Sequence, residues 1–313
     1  MLAKVARMYH EHGLRQPEIA ARLHLSQSRV SRMLKQATEV GIVRTVVVPP
    51  LGVHVDLEDA IQERYGLTDV VIVEVPGEGD AALLAALGRA GGSYLEATLT
   101  GSDRIGISSW SATLLSTVDS MQPRSVRSAV EVVQLIGGVG SANVQVQATH
   151  LADRLAQVTG ADVKFLPTPG VVASTQIRDA LLADPAIADV ASRWDTLTVG
   201  LVGVGSLEPS PLLESSGNVA PRADRDALRA VGAVGDVCLR FFDADGGLVD
   251  AGLHDRVVGI GSEALRRIPR IVAIAGGARK LTAIRAAAAG GWIHVLVTDL
   301  ATGRALLEPP PAG

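Results

Sequence analysis

Five short stretches of the chain carry side chains suited to holding an anion or a polyol. In "QSRVSRMLK", residues 27–35, Gln27, Ser28, Arg29, Ser31, Arg32 and Lys35 stand between apolar Val30, Met33 and Leu34, and no acid follows until Glu39. Amide and guanidinium groups of this kind reach base edges, while hydroxyls and ammonium groups hold phosphates. "SSWSAT", residues 108–113, offers Ser108, Ser109, Ser111 and Thr113. "GGVGSAN", Gly137 to Asn143, and "GGARK", Gly276 to Lys280, are glycine-rich, and Asp236 and Asp243 flank "DVCLRFF". Hydroxyl- and glycine-rich loops that open helices present backbone N–H groups to an anion. Lys280 adds a positive charge to one of them, in a chain with only four lysines against 25 arginines.

The first stretch needs a helix to aim it. Leu2, Val5, Ala6 and Tyr9 recur at helical spacing and predict a first helix ending by Gly13. Pro17 suits the first turn of a second helix, with Ile19, Ala20 and Leu23 inward. His24 and Leu25 form a short turn, and Ser26 is an N-cap for a third helix that buries Val30, Met33, Leu34 and Ala37 and stops at Gly41. Two short helices and a tight turn make a helix-turn-helix, whose last helix places its N-terminal end in the major groove. Gln27, Ser28, Arg29 and Arg32 are then set for base edges, and Ser31 and Lys35 for phosphate. "IVRTVVV", residues 42–48, is a β-prone run suited to a wing, giving a winged-helix-like head. A small helical bundle with a basic wet face is the plainer alternative.

The other stretches need strands. Apolar runs at 69–75, 104–108, 130–136, 162–166, 196–204, 236–242, 270–275 and 293–298 alternate with helical segments such as 80–99, 144–159 and 279–289. Continuous apolar strands separated by helices predict an α/β unit with a mostly parallel, doubly covered sheet. Ligands of such sheets sit at the carboxyl ends of the strands, where the hydroxyl and glycine loops fall. The expected domains are residues 1–50, a DNA-binding head, and residues 51–313, a ligand-binding and oligomerisation body.

Bulk properties agree with this division. Residues 1–45 hold eight Lys or Arg against three Glu, whereas the whole 313-residue chain has a net charge of −4. A basic head on an acidic body fits a DNA reader fused to another unit. No apolar run is long enough to span a membrane, no secretory leader is visible, and a lone Cys238 excludes an internal disulfide. The expectation is a cytoplasmic protein without metal or cofactor. His150, His254 and His294 are scattered, Trp110, Trp194 and Trp292 suit packing, and Cys238 suits a buried mid-strand position.

The segments "YHEHGLRQPEIAARLHLSQSRVSRMLKQATEVGIV", "VVQLIGG", "AVGDVCLRFFDADG", "DRVVGI", "RIPRIVAIAGGARKLTAIRAAAAGGWIHVLVTD" and "ATGRALL" follow one another as they do in the SorC family of sugar-responsive regulators, which nearly the whole chain resembles. The resemblance implies a helix-turn-helix joined to a Rossmann-like effector domain similar to glucosamine-6-phosphate deaminase and ribose-5-phosphate isomerase. It implies an effector site formed by Ser109, Ser111 and Thr113, the backbone of Gly137, Gly138 and Gly140, and Asn143 and Gln145. In it Asp236 holds sugar hydroxyls and Lys280 a phosphate. Many relatives have glycine after the tryptophan of the first loop, where this chain has Ser111. The expected partners are an operator duplex, a sugar or sugar phosphate, and further copies of the chain as a dimer or tetramer.

Two other readings compete. An active sugar-phosphate isomerase or deaminase needs a base aimed at a C–H, and the loops supply Asp236 and Asp243 but no histidine. A nicotinamide sensor needs GxGxxG before a helix, whereas "GLVGVGS", residues 200–206, spaces its glycines differently.

Overall fold

Short-range apolar spacing builds the N-terminal helices. The computed structural model of the chain describes residues 1–44, 52–123, 125–138, 142–208, 214, 219–249 and 251–309, and of residues 142–148 the backbone alone. Two compact units emerge, Met1–Leu51 and Gly52–Gly313. In the first, α1 (Leu2–His10), α2 (Gln16–Leu23) and α3 (Gln27–Glu39) close around Val5, Met8, Ile19, Ala20, Val30 and Leu34. Met8 is buried and Tyr9 exposed, so the first helix is rotated slightly from the expected inward face. Glu18 accepts from the Arg15 backbone N–H at 2.7 Å, Ser26 Oγ accepts from the Arg29 N–H at 3.3 Å, and His24 turns the chain at φ 53°. Gly41, φ 76°, follows the last turn of α3 as expected of a left-handed stop. Residues 42–44 form no strand, and the rest of the expected wing lies outside the described residues.

The second unit begins with α4 (Val55–Tyr65), β1 (Asp69–Val73), α5 (Asp80–Thr98), β2 (Arg104–Ile107), α6 (Ala112–Ser120), β3 (Glu131–Gln134), α7 (Ala142–Thr159) and β4 (Asp162–Lys164). Helices α8 (Thr175–Ala183) and α9 (Pro185–Ser192) lead to β5 (Val199–Val202). Strands β9 (Arg270–Ile274) and β10 (Val295–Asp299) complete a seven-stranded sheet in the order β1-β10-β9-β5-β2-β3-β4, every pair parallel. Strands β3, β5 and β10 are buried along their whole length, because helices cover both faces. From β2 the chain runs outward through β3 and β4, then returns to place β5 on the other side of β2. That reversal opens a crevice at the carboxyl ends of β2 and β5.

The expected strand 236–242 is a correction. It is a hairpin of β7 (Gly235–Val237) and β8 (Arg240–Phe242), paired with β6 (Gly205–Ser206) in a separate antiparallel sheet. Cys238 and Leu239 form its turn at φ 53° and 58°, so Cys238 is not mid-strand. Consecutive left-handed residues make the tight turn that matches strand twist, usually with Asn or Gly. With two apolar residues there instead, the run reads as one strand. The turn survives because the Asp236 carboxylate accepts from the Leu239 N–H at 2.8 Å, and Arg240 donates to the carbonyls of Ile260, His254 and Gly259.

Glycines position α6. Gly88, Gly91 and Gly92 of α5 face Ser116, Thr117 and Ser120, and an ideal Cβ on Gly88 would lie 2.2 Å from Ser116 Oγ. Ser116 and Ser120 donate to the α5 carbonyls of Leu84 and Gly88 at 3.1 and 3.0 Å. The two helices are thereby locked, and the N-terminus of α6 is held at the mouth of the crevice.

Candidate functional site

Each unit presents one candidate surface. On the first, Gln27, Ser28, Arg29, Ser31, Arg32 and Lys35 are all exposed on α3, opposite buried Val30, Leu34 and Ala37. Lys35 lies 3.9 Å from Glu39, and Arg7 pairs with Glu11. Among the described residues no carboxylate pairs with Arg29 or Arg32, so both guanidiniums are available to an outside anion.

On the second, a cavity of about 160 Å³ lies at the crevice between β2 and β5. Its walls come from five places: the loop after β2, Ile136 after β3, residues 203–206 and Glu208 after β5, Asp236, Cys238 and Leu239 of the β7–β8 hairpin, and Arg279 and Lys280. The structure therefore gathers Ser109, Ser111, Thr113, Asp236 and Lys280, residues spread over more than half the chain, around one space. Ser109 donates to the Ile136 carbonyl at 2.8 Å, which ties the β2 loop to the end of β3. Ser111 is the N-cap of α6, accepting from the Leu114 N–H at 3.2 Å, and Thr113 faces the cavity from the first turn. The positive end of the α6 dipole thus points at the space.

Two glycines are shaped around the site's polar groups. An ideal Cβ on Gly203 would approach Ser111 Oγ to 2.9 Å, and one on Gly205 would lie 2.0 Å from Asp236 Oδ1. Lys280 sits at the end of a 3-10 turn (Ala278–Lys280) before α11 (Leu281–Ala289), the helix that precedes β10. That turn is anchored below, since the Gly277 N–H donates to Asp299 Oδ2 and Thr302 Oγ1, both at 2.8 Å. Asp299 is the last residue of β10, so the central sheet fixes the position of the lysine.

Burial dominates the electrostatics. It pushes the Asp236 carboxyl up to about 6, against the lowering effects of the Leu239 N–H and of Lys280. Burial likewise lowers the Lys280 ammonium, offset in part by Asp236 and reinforced by Arg279. Each group is partly desolvated and faces the other across the cavity without a direct ion pair. Such a pair can hold a ligand that brings a negative group to the lysine and hydroxyls to the carboxyl. Cys238, also in the wall, is pushed up to about 12 by burial and is a poor nucleophile.

Other expected positions fall elsewhere. Gly137 and Gly138 do not line the cavity. The Gly137 N–H donates to Val258 O at 2.9 Å, and an ideal Cβ there would lie 2.4 Å from Pro169 O. That glycine serves close packing of two chain segments, and its amide is not free for a phosphate. Gly140 lies outside the described residues, as do the side chains of Asn143 and Gln145. Asp243 is also absent from the cavity; it accepts from the N–H groups of Asp245 and Gly247 in its own turn. Trp194 and Trp292 pack, donating to Gln134 O and Gly246 O, whereas Trp110 lines the cavity. Sequence reasoning missed Gly203, Gly205, Ser206 and Arg279. The "GLVGVGS" run was the signal for the first three and "GGARK" for Arg279; the former passes from β5 into β6, strand to strand, so it is no dinucleotide turn. Among the described residues no histidine lines the cavity and no cluster could hold a metal ion.

A helix-turn-helix unit and a parallel α/β unit with a polar crevice at its strand ends define the class: a ligand-responsive transcriptional regulator. The family model described as "Putative sugar-binding domain" matches residues 50–308. The chain is 32% identical over 305 residues to the deoxyribonucleoside regulator of Bacillus subtilis, covering 97% of this chain and 96% of that one. It is 29% identical to the sorbitol operon regulator of Klebsiella pneumoniae over 98% of both chains. The crystal structure of that full-length regulator, SorC, superposes with a TM-score of 0.76, again over 98% of both chains. The sugar-binding domain of the regulator DeoR from Pseudomonas syringae pv. tomato is 38% identical, with a TM-score of 0.65 over 82% of this chain and 99% of that one. The chain belongs to the SorC family of sugar-binding transcriptional regulators.

Proposed function

We propose that this regulator reads an operator duplex with α3 and releases or tightens its hold when a sugar phosphate occupies the cavity behind β2 and β5. Gln27, Ser28, Arg29 and Arg32 reach base edges, and Ser31 and Lys35 reach phosphates. In the cavity, Lys280 takes the ligand's phosphate and Asp236 its hydroxyls, with Ser109, Ser111 and Thr113 along the other wall. The observation that carries this reading is the meeting of Asp236 and Lys280, 44 positions apart, at one topological switch point. A single helix-turn-helix binds weakly, so the working form is a dimer or tetramer reading paired half-sites.

Binding rather than turnover fits the cavity, because Asp236 has no neighbouring histidine to complete a proton shuttle among the described residues. The described helices include none long and apolar enough to cross a membrane. The test is fluorescence anisotropy on operator fragments, selected from random duplexes, with sugar phosphates and free pentitols added in turn. A phosphosugar that shifts operator affinity about 5- to 150-fold supports the reading. Catalytic conversion of the added sugar phosphate with no effect on DNA would replace it with an enzyme.

A further inference from the structure

A second space adjoins the cavity at Asp236. This smaller void of about 20 Å³ shares Ser206, Asp236 and Leu239 with it and is otherwise lined by apolar side chains and by Arg225. Among the described residues around this void, Arg225 is the only cation. It belongs to α10 (Arg222–Ala230), where the neighbouring charges are already matched. Asp226 receives Arg222 at 3.8 Å and Arg229 at 2.9 Å, and Asp224 receives Arg256 at 2.5 Å. Arg225 is partly buried, its Nε is shielded and has no hydrogen-bond partner, and no described carboxylate lies within ion-pair distance of it. A shielded Nε–H without an acceptor is costly, and the guanidinium's fork of donors suits a planar anion.

We propose that Arg225 is a second anion-binding residue of the effector site, and that the effector carries a carboxylate at the end opposite its phosphate: a phosphorylated sugar acid. This rests on the reading of the main cavity as a phosphosugar site. Lys280 lines the main cavity and Arg225 the smaller void, and the two spaces share Ser206 and the Asp236 carboxyl between them. Size selects the second anion. A void of about 20 Å³ has room for a group near the size of one water, so the smaller, planar carboxylate suits it better than a phosphoryl group. Burial already pushes the Asp236 carboxyl up to about 6, and a ligand carboxylate beside it would raise it further, so the two would share a proton instead of repelling each other.

The experiment uses the full chain and matched probes: 6-phosphogluconate against glucitol 6-phosphate, and erythronate 4-phosphate against erythritol 4-phosphate, by titration calorimetry. At least one acid should bind about ten-fold more tightly than its alditol partner, and Arg225→Gln should remove that preference while leaving the alditol phosphate within about two-fold. Equal binding of acid and alditol in the native chain overturns the proposal, as does an unchanged preference in Arg225→Gln. Arg225→Lys, which keeps the charge but not the fork, should retain only part of the preference, and it decides the matter where Arg225→Gln fails to fold. Alditol phosphates that bind through Lys280 with no gain for the acids defeat this inference alone. Absence of binding by every phosphate defeats the phosphosugar reading with it.

Discussion

Asp236 Oδ1 occupies the space that a side chain at position 205 would need, with an ideal Cβ only 2.0 Å away. The carboxyl is wedged between that glycine and the Leu239 N–H, and the β6–β7–β8 sheet is built around it. Gly205→Ala should therefore push Asp236 out of position, costing about 1–3 kcal/mol of stability by overpacking. Thermal melts should show the loss, and polyol affinity should fall with it. A variant with native melting temperature and native affinity would show that the carboxyl moves freely.

Asp236 itself should destabilise the empty protein at neutral pH. Its folded carboxyl is pushed to about 6 from an ordinary 3.8. The folded state thus holds this proton more tightly than the unfolded chain. The stabilisation is fully present below pH 3.8 and is lost as pH rises through 6. Asp236→Asn should make the protein more stable by about 1–3 kcal/mol at pH 8 and by little at pH 4. Sugar binding should weaken at the same time. Denaturant titrations at the two pH values check the difference; equal effects at both would argue against a buried, raised carboxyl.

Lys280→Met keeps the length of the side chain and removes its charge. Phosphorylated ligands should lose about 10- to 100-fold in affinity, the worth of a charge-assisted bond, and neutral polyols should change little. Parallel calorimetry on a sugar phosphate and its free sugar reads the ratio. A uniform loss for both would assign the lysine to the fold.

Arg32→Ala should cost about 1–3 kcal/mol of specific operator binding, if this side chain reads a base edge. Sugar binding should be untouched, because the residue lies in the other unit. Electrophoretic mobility of operator complexes measures it. Equal operator affinity in variant and native chain would remove α3 from the major groove.

Much of this was legible before the structure. Ser26, Pro17 and Gly41 act locally, through capping and left-handed backbone, so the helix-turn-helix could be read to within a few residues. The parallel strands were legible too, since full burial on both faces leaves a continuous apolar run. The β7–β8 hairpin was not. Its turn holds Cys238 and Leu239 at positive φ with no Asn or Gly, and only the tertiary bonds of Asp236 and Arg240 sustain it. Gly137 misled for a related reason. Its glycine answers to the Pro169 backbone 32 residues on, a contact without local signature.

By itself the chain of residues determined the two units, the basic face of α3 and the polar and glycine-bearing loops at the strand ends, because these depend on interactions a few residues apart. Tertiary structure decided which loops share a cavity. The order β5-β2-β3 opens the crevice, Gly203 and Gly205 let Ser111 and Asp236 close on it, and Asp299 and Thr302 hold the turn that delivers Lys280. Those choices rest on contacts between segments tens of residues apart, where residue type alone leaves many partners open and only close packing selects one.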